Sequence, residues 1–140
     1  LLEKNRFRDL VETRRCIELE MVKLAACRAT EEDLEKLEQI ILLMEQKAAK
    51  GENFKEEDLR FHRIIFAAAK NSVLHGFQTA LVEFFNAIQE KKRPVELKSK
   101  TLREHKLIYQ AIHAHDPQAA YEVMVKHLEP YDSYLEEKDR

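Results

Sequence analysis

Asp58 and His62 stand four residues apart in the run Asp58-Leu-Arg-Phe-His62. On a helix that spacing places a carboxylate and an imidazole on one face, one turn apart. The rest of that face is apolar, because Phe54, Phe61, Ile65 and Ala69 share it at helical intervals. Polar and charged groups on an inward face cost free energy unless something pairs with them. The same oddity occurs three more times. His105 interrupts the stripe Leu102, Ile108, Tyr109, Ile112, and His127 interrupts Ala120, Val123, Met124, Tyr131. Arg14 interrupts Leu10, Ile17, Met21, Leu24. A single histidine in an apolar stripe is ordinarily a hydrogen-bonded core residue. Three on separate helices, joined by Asp58, are expected to converge and hold a divalent metal. Imidazole and carboxylate donors suit Zn, Ni, Mn or Fe rather than Ca or Mg. Four protein ligands leave one or two positions for water or an anion if the ion is five- or six-coordinate. Arg14 on the same cavity would grip a carboxylate with its two-pronged guanidinium. The plainer alternative has Arg14 snorkelling to the surface or pairing with Glu18 one turn on.

The elements that must position these groups are helices. The 140 residues suit one domain with a real core. Only 2 Gly and 3 Pro argue against a turn-rich β protein, and 44% hydrophobic with 36% charged residues fits amphipathic helices. The net charge of −2 gives no basic face for nucleic acid. No apolar run approaches the roughly 20 residues that span a bilayer, and no signal peptide is visible. Cys16 and Cys27 lie eleven residues apart on one predicted helix, about 16 Å and too far for a disulfide. They read as free packing residues, consistent with a reducing cytoplasm.

The periodicity predicts six helices and no strand. The first covers about 7–29. The second follows the Thr30…Asp33 capping box, buries Leu34, Leu37, Ile41 and Met44 with support from Ile40 and Leu43, and ends at Gly51. It reads as scaffold without chemistry. The third starts at an Asn53 cap and runs to about Lys70. Asn71-Ser72 breaks the chain, and Ser72 is expected to cap a fourth helix over 73–92. Leu74, Phe77, Leu81, Phe84, Phe85 and Ile88 form its apolar face, with His75 exposed; residues 91–93 complement its C-terminal end and Pro94 stops it. Residues 95–100 read as a polar linker and about 99–114 as the fifth helix. His113 and His115 alternate wrongly for a helix face and are set aside as ligands. Asp116-Pro117 opens the sixth helix, which Pro130 should kink or loosen. Residues from Glu136 onward are expected to fray.

Read in order, the chain carries Asp9-Leu-Val-Glu-Thr-Arg14, Glu18 and Leu24-Ala-Ala-Cys-Arg-Ala-Thr30. It continues with Asp58-Leu-Arg-Phe-His-Arg-Ile-Ile, Ala68-Ala-Lys-Asn71, Glu104-His105, Ala111-Ile112, Asp116, Ala119-Ala120 and Met124-Val-Lys-His127-Leu128. In these residues and their order it resembles the C-terminal effector domain (the FCD domain) of the FadR branch of GntR-type bacterial transcription regulators. The resemblance implies an all-α antiparallel bundle spanning residues 1–140 and a homodimer. It implies that Asp58, His62, His105 and His127 bind a divalent ion, often zinc. It also implies that Arg14 contacts a small organic-acid effector and that Asn71 lines the same pocket. Some members lack the metal and bind an acyl-CoA; this chain keeps all four ligand positions and so resembles the metal-binding members. The family's winged helix-turn-helix would precede Leu1, and operator DNA would be bound only through it. The function implied is that of a cytoplasmic, non-enzymatic sensor. The alternatives are a metal-dependent enzyme, for which no further general base or nucleophile is evident, and a purely structural interaction bundle.

Overall fold

A computed structural model describes residues 2–88 and 95–131. Every regular element among them is helical. They are α1 Leu2–Arg28, α2 Glu31–Ala49, α3 Lys55–Ala68, α4 Ser72–His75, α5 Gln78–Ile88, α6 Val95–His113 and α7 Pro117–Leu128, followed by a 3-10 turn, Glu129–Tyr131. α1 is the mast of the bundle and packs on α3, α5, α6 and α7. α2 closes one side against α3 and α6, and α6 pairs with α7. No helix among the described residues is long and apolar enough to cross a membrane.

The helix ends follow local chemistry. Thr30 caps α2 in a reciprocal box: its hydroxyl accepts from the Asp33 amide, and Asp33 accepts from the Thr30 amide. Gly51 ends α2 at φ +70, the left-handed conformation that only glycine adopts without strain. Asp116 caps α7 by accepting from the Ala119 amide, with Pro117 in the first turn. α7 stops at Leu128 and the chain tightens into a 3-10 turn around Pro130, which has no amide hydrogen to continue the ladder.

Several expectations need correction. The single fourth helix is two pieces. The amides of Gly76 and Phe77 bond three residues back, to the carbonyls of Val73 and Leu74, and this tight turn breaks the helical phase. Phe77 is consequently 52% exposed while Leu81 and Phe84 reach the core. Asn71, not Ser72, caps α4, its side-chain oxygen accepting from the Leu74 amide at 3.0 Å. Phe54, not Asn53, is the α3 N-cap residue; Asn53 instead accepts from the Lys55 amide from one position further back. Residues 95–100 are the first turns of α6 and not a linker: Glu96, Leu97, Lys98 and Lys100 are good helix formers, and polarity alone does not make a loop. Leu43 lies outside the core, and Cys16 and Cys27 are exposed thiols rather than packing residues. The expected helix end at 91–93, Pro94 and the fraying tail lie outside the described residues.

Two apolar clusters hold the bundle together. The larger joins α1, α2, α3, α6 and α7 through residues such as Val22, Leu37, Phe61, Ile108 and Met124. The smaller joins α1, α3 and α5 through Val11, Met21, Phe66, Leu81 and Phe84, with Tyr131 against it. Each fully buried side chain of this size contributes about 1.5–3 kcal/mol. The polar residues of the opening argument sit between the clusters, with Phe61 on one side and Phe84 on the other.

Candidate metal centre

α3 delivers Asp58 and His62 together, because one helical turn separates them and both face inward with Phe54, Phe61 and Ile65. His105 arrives on α6 and His127 on α7, each from a stripe whose other members are core. All four are buried, at 3%, 0%, 0% and 5% exposure. One ligating atom from each lies within 4.8 Å of all the others. Asp58 Oδ1 is 3.0 Å from His105 Nε2 and 3.3 Å from His62 Nε2. The imidazole rings sit 4.8 to 5.6 Å apart between centroids.

The outer nitrogens of the rings are engaged elsewhere, which turns each Nε2 toward the centre. His62 Nδ1 meets Glu18 Oε2 at 2.6 Å, and His127 Nδ1 meets Glu104 Oε1 at 3.3 Å. His105 Nδ1 faces Met44 Sδ at 3.3 Å, and Phe61 stacks on the same ring at 4.2 Å. A carboxylate behind a ligating imidazole fixes ring orientation and raises ligand basicity. Glu18, Glu104 and Met44 were not singled out from the sequence as part of the centre. Glu18 was legible only as a helical neighbour of Arg14. Glu104 adjoins His105, but consecutive residues point about 100° apart, so its approach to His127 depends on how α6 crosses α7. Nothing in the sequence ties Met44 to His105.

The electrostatics match the geometry. Burial pushes the Asp58 carboxyl up, but His105 and His62 outweigh it and hold Asp58 well below the usual carboxylate range. Burial lowers His105 more than Asp58 raises it. Burial, with the charges of His105 and His62, pushes His127 far below its ordinary value. His62 is the exception: burial lowers it, but Glu18 and Asp58 prevail and raise it. At neutral pH the centre therefore offers an ionised Asp58 and neutral His105 and His127, and His62 is the ring that holds a proton most firmly.

The donor set fits a divalent ion. Zinc–nitrogen and zinc–oxygen bonds of about 2.0–2.2 Å put ligand atoms on opposite sides of an ion no more than roughly 4.4 Å apart. A set spanning 4.8 Å closes with small turns of the rings. His105 Nε2 is buried and completes no hydrogen bond despite its nearness to Asp58, a cost that a cation at the centre would remove.

Arg14 lies beside the cluster, 4% exposed, as the inward reading expected. Its Nη2 is 3.4 Å from His62 Nε2, and its Nε is 3.9 Å from Glu18 Oε1. The carbon of the guanidinium stands 4.4 Å over the Phe84 ring and 5.3 Å from the Tyr131 ring. The pairing with Glu18 therefore exists, but inside the bundle and not on its surface. Burial lowers the Arg14 pKa against the pull of Glu18 and Asp58; a guanidinium starts so high that it stays charged. Asn71 is at the N-cap of α4, half-buried, with its oxygen committed to the Leu74 amide. His113 and His115 are exposed, and His115 Nδ1–H donates to the Ala26 carbonyl at 2.8 Å.

Known proteins resemble this chain in sequence and in fold. The sequence profile of the FCD domain matches residues 9–130. The chain is 33% identical over 120 residues to the uncharacterized HTH-type transcriptional regulator YcbG of Bacillus subtilis (strain 168), covering 85% of this chain and 50% of that protein. It is 31% identical over 111 residues to the galactonate operon transcriptional repressor of Escherichia coli (strain K12), covering 78% and 48%. Among solved structures, Streptococcus agalactiae GntR superposes with a TM-score of 0.77 at 24% identity, over 89% of this chain and 56% of that one; this is a likeness of fold. The chain spans about half the length of these relatives.

Proposed function

The chain belongs to the FCD domain family, and from that premise we propose that it is the ligand-sensing and dimerisation domain of a GntR-type transcriptional regulator. In this reading it holds a divalent metal, zinc first, through Asp58, His62, His105 and His127, and a small carboxylate effector beside it. DNA is bound by a further domain of the full-length protein. The single observation that carries the reading is the convergence of three imidazole nitrogens and one carboxylate oxygen within 4.8 Å, all buried. Arg14 adds a buried guanidinium next to that point. The relatives bear the names of transcriptional regulators, and one of them is named for an operon of galactonate, a carboxylic acid.

Bound there, the ion would supply open coordination positions for an anion. The chain's own residues do the rest. Glu18 and Glu104 hold the His62 and His127 rings in place. Arg14 offers its fork to the carboxylate in surroundings that exclude water, where such pairs are strong. Asn71 would join the same ligand through its amide nitrogen, since its oxygen caps α4. Because the ligating side chains come from α3, α6 and α7 and the guanidinium from α1, an effector that joins them biases the relative placement of four helices. It acts on DNA binding only to the extent that its affinity differs between two arrangements of the dimer.

Two measurements test this. Protein purified without added metal is expected to carry close to one equivalent of a divalent ion by elemental mass spectrometry. Arg14→Ala is expected to keep the ion and lose carboxylate binding by about tenfold or more in calorimetric titration. Metal-free protein that also fails to take up zinc would end the reading.

A further inference from the structure

α2 brings no ligand to the centre, yet it brings Met44. That side chain is fully buried, and its Sδ lies 3.3 Å from His105 Nδ1. Phe61 stacks on the same ring at 4.2 Å and 20°, which holds the imidazole in its plane. The other two rings have carboxylates at this place, Glu18 at His62 Nδ1 and Glu104 at His127 Nδ1. An ionised carboxylate and a thioether differ in strength but share one property: each accepts a hydrogen bond and neither can donate one. Every Nδ1 of the cluster therefore faces a group that favours a proton there. A neutral imidazole carries one proton, so a proton on Nδ1 leaves the Nε2 lone pair for an ion.

We propose that Met44 is the positioning residue of His105: its sulfur accepts the Nδ1–H hydrogen bond and so makes Nε2 the ligating atom, as an uncharged counterpart of Glu18 and Glu104. This rests on the metal reading above. Metal-free protein has a choice of tautomer that metal-loaded protein lacks. Without an ion the proton can sit on Nε2, 3.0 Å from Asp58 Oδ1, and the sulfur then contributes nothing. With Nε2 on an ion the proton must stay on Nδ1, where the sulfur is the acceptor that meets it. Met44 thus stabilises the loaded form over the metal-free one. A methionine that only filled the core would stabilise both alike. Being neutral, the sulfur also adds no negative charge beside the point where a carboxylate is to bring its own.

The test compares the whole chain with its Met44→Leu variant. Leucine keeps the volume and removes the acceptor. Zinc affinity, read by competition with a coloured chelator, is expected to fall about tenfold in Met44→Leu, the loss of one hydrogen bond to a buried donor. The urea midpoint of the metal-free variant is expected to stay close to the parent's, because the swap conserves volume. Equal zinc affinity in the two proteins would overturn the proposal and mark Met44 as packing alone. Long-range proton–nitrogen correlation spectra of zinc-loaded parent with isotope-labelled histidine test the same point without a substitution. They are expected to place the His105 proton on Nδ1 and the ion on Nε2. The reverse pattern would sink the proposal and leave the metal reading standing. A parent that takes up no zinc removes the metal reading, and the proposal with it.

Discussion

At the rim of the bundle, Asp33 Oδ2 gathers three donors: the Thr30 amide at 2.9 Å, the Thr30 hydroxyl at 3.0 Å and Lys70 Nζ at 2.7 Å. At its centre, Asp58 Oδ1 faces two imidazoles, at 3.0 and 3.3 Å. Both carboxylates join helices that are distant in sequence. The first network is complete in itself: one acceptor, three donors, and an ammonium that reaches water. The second brings together three rings and a carboxylate, and leaves His105 Nε2 without a hydrogen bond in a place water does not reach. The rim network acts as a cap and latch between α2 and the end of α3. The central one is the cluster proposed above to close around a cation.

The sharpest way to break that comparison is at the centre. His105→Ala removes one of the inward nitrogens and the ring stacked on Phe61. It is expected to abolish metal retention and to cost about 3 kcal/mol or more in urea unfolding, through the cavity and the lost ion together. Full metal content in the purified variant would mean that the centre is not what the rings serve. Glu18→Gln is milder, since it keeps size and hydrogen bonding but removes the charge behind His62. Affinity for zinc, read by competition with a coloured chelator, should fall about 10- to 100-fold. Affinity unchanged within error would show that Glu18 only fills space.

The smallest effect belongs to the rim. Asp33→Asn is expected to cost about 1 kcal/mol with metal content unchanged. Its signature is in acid. Burial pushes the Asp33 carboxyl up, but Lys70 and Thr30 more than offset that and hold it below its ordinary value of 3.8. A carboxylate whose folded pKa is lowered stabilises fully above its unfolded pKa. That stabilisation is lost as pH falls from there through the lower folded value. The parent should therefore lose more stability than Asp33→Asn between about pH 5 and the acid limit. Parallel acid limbs would show that the latch carries no linked proton.

The two networks also differed in how far they could be read before folding. Thr30 and Asp33 lie three residues apart, so the capping box was visible as a local pattern; Lys70, the third partner, was not. At the centre, each of Asp58, His62, His105, His127 and Arg14 was visible as a polar interruption of an apolar stripe. The break at Gly76 was missed because Leu74, Phe77, Leu81 and Phe84 keep helical spacing straight through it, although Phe77 ends outside the core. Residues 95–100 are polar and yet helical, because charge marks exposure and says little about backbone conformation.

The order of residues along the chain determined which way most side chains of an unbroken helix face, since helical period relates every position to the axis of its own helix. It thereby set the inward direction of the three histidines, Asp58 and Arg14, and most of the helix ends, where caps act over three or four residues. The distances between helices were decided only in the assembled bundle. The seat of Glu18 behind His62, of Glu104 behind His127, of Met44 against His105 and of Arg14 between Phe84 and Tyr131 all depend on crossing angle and register. Those are set by the packing of every side chain in two cores at once, and no stretch of sequence contains them.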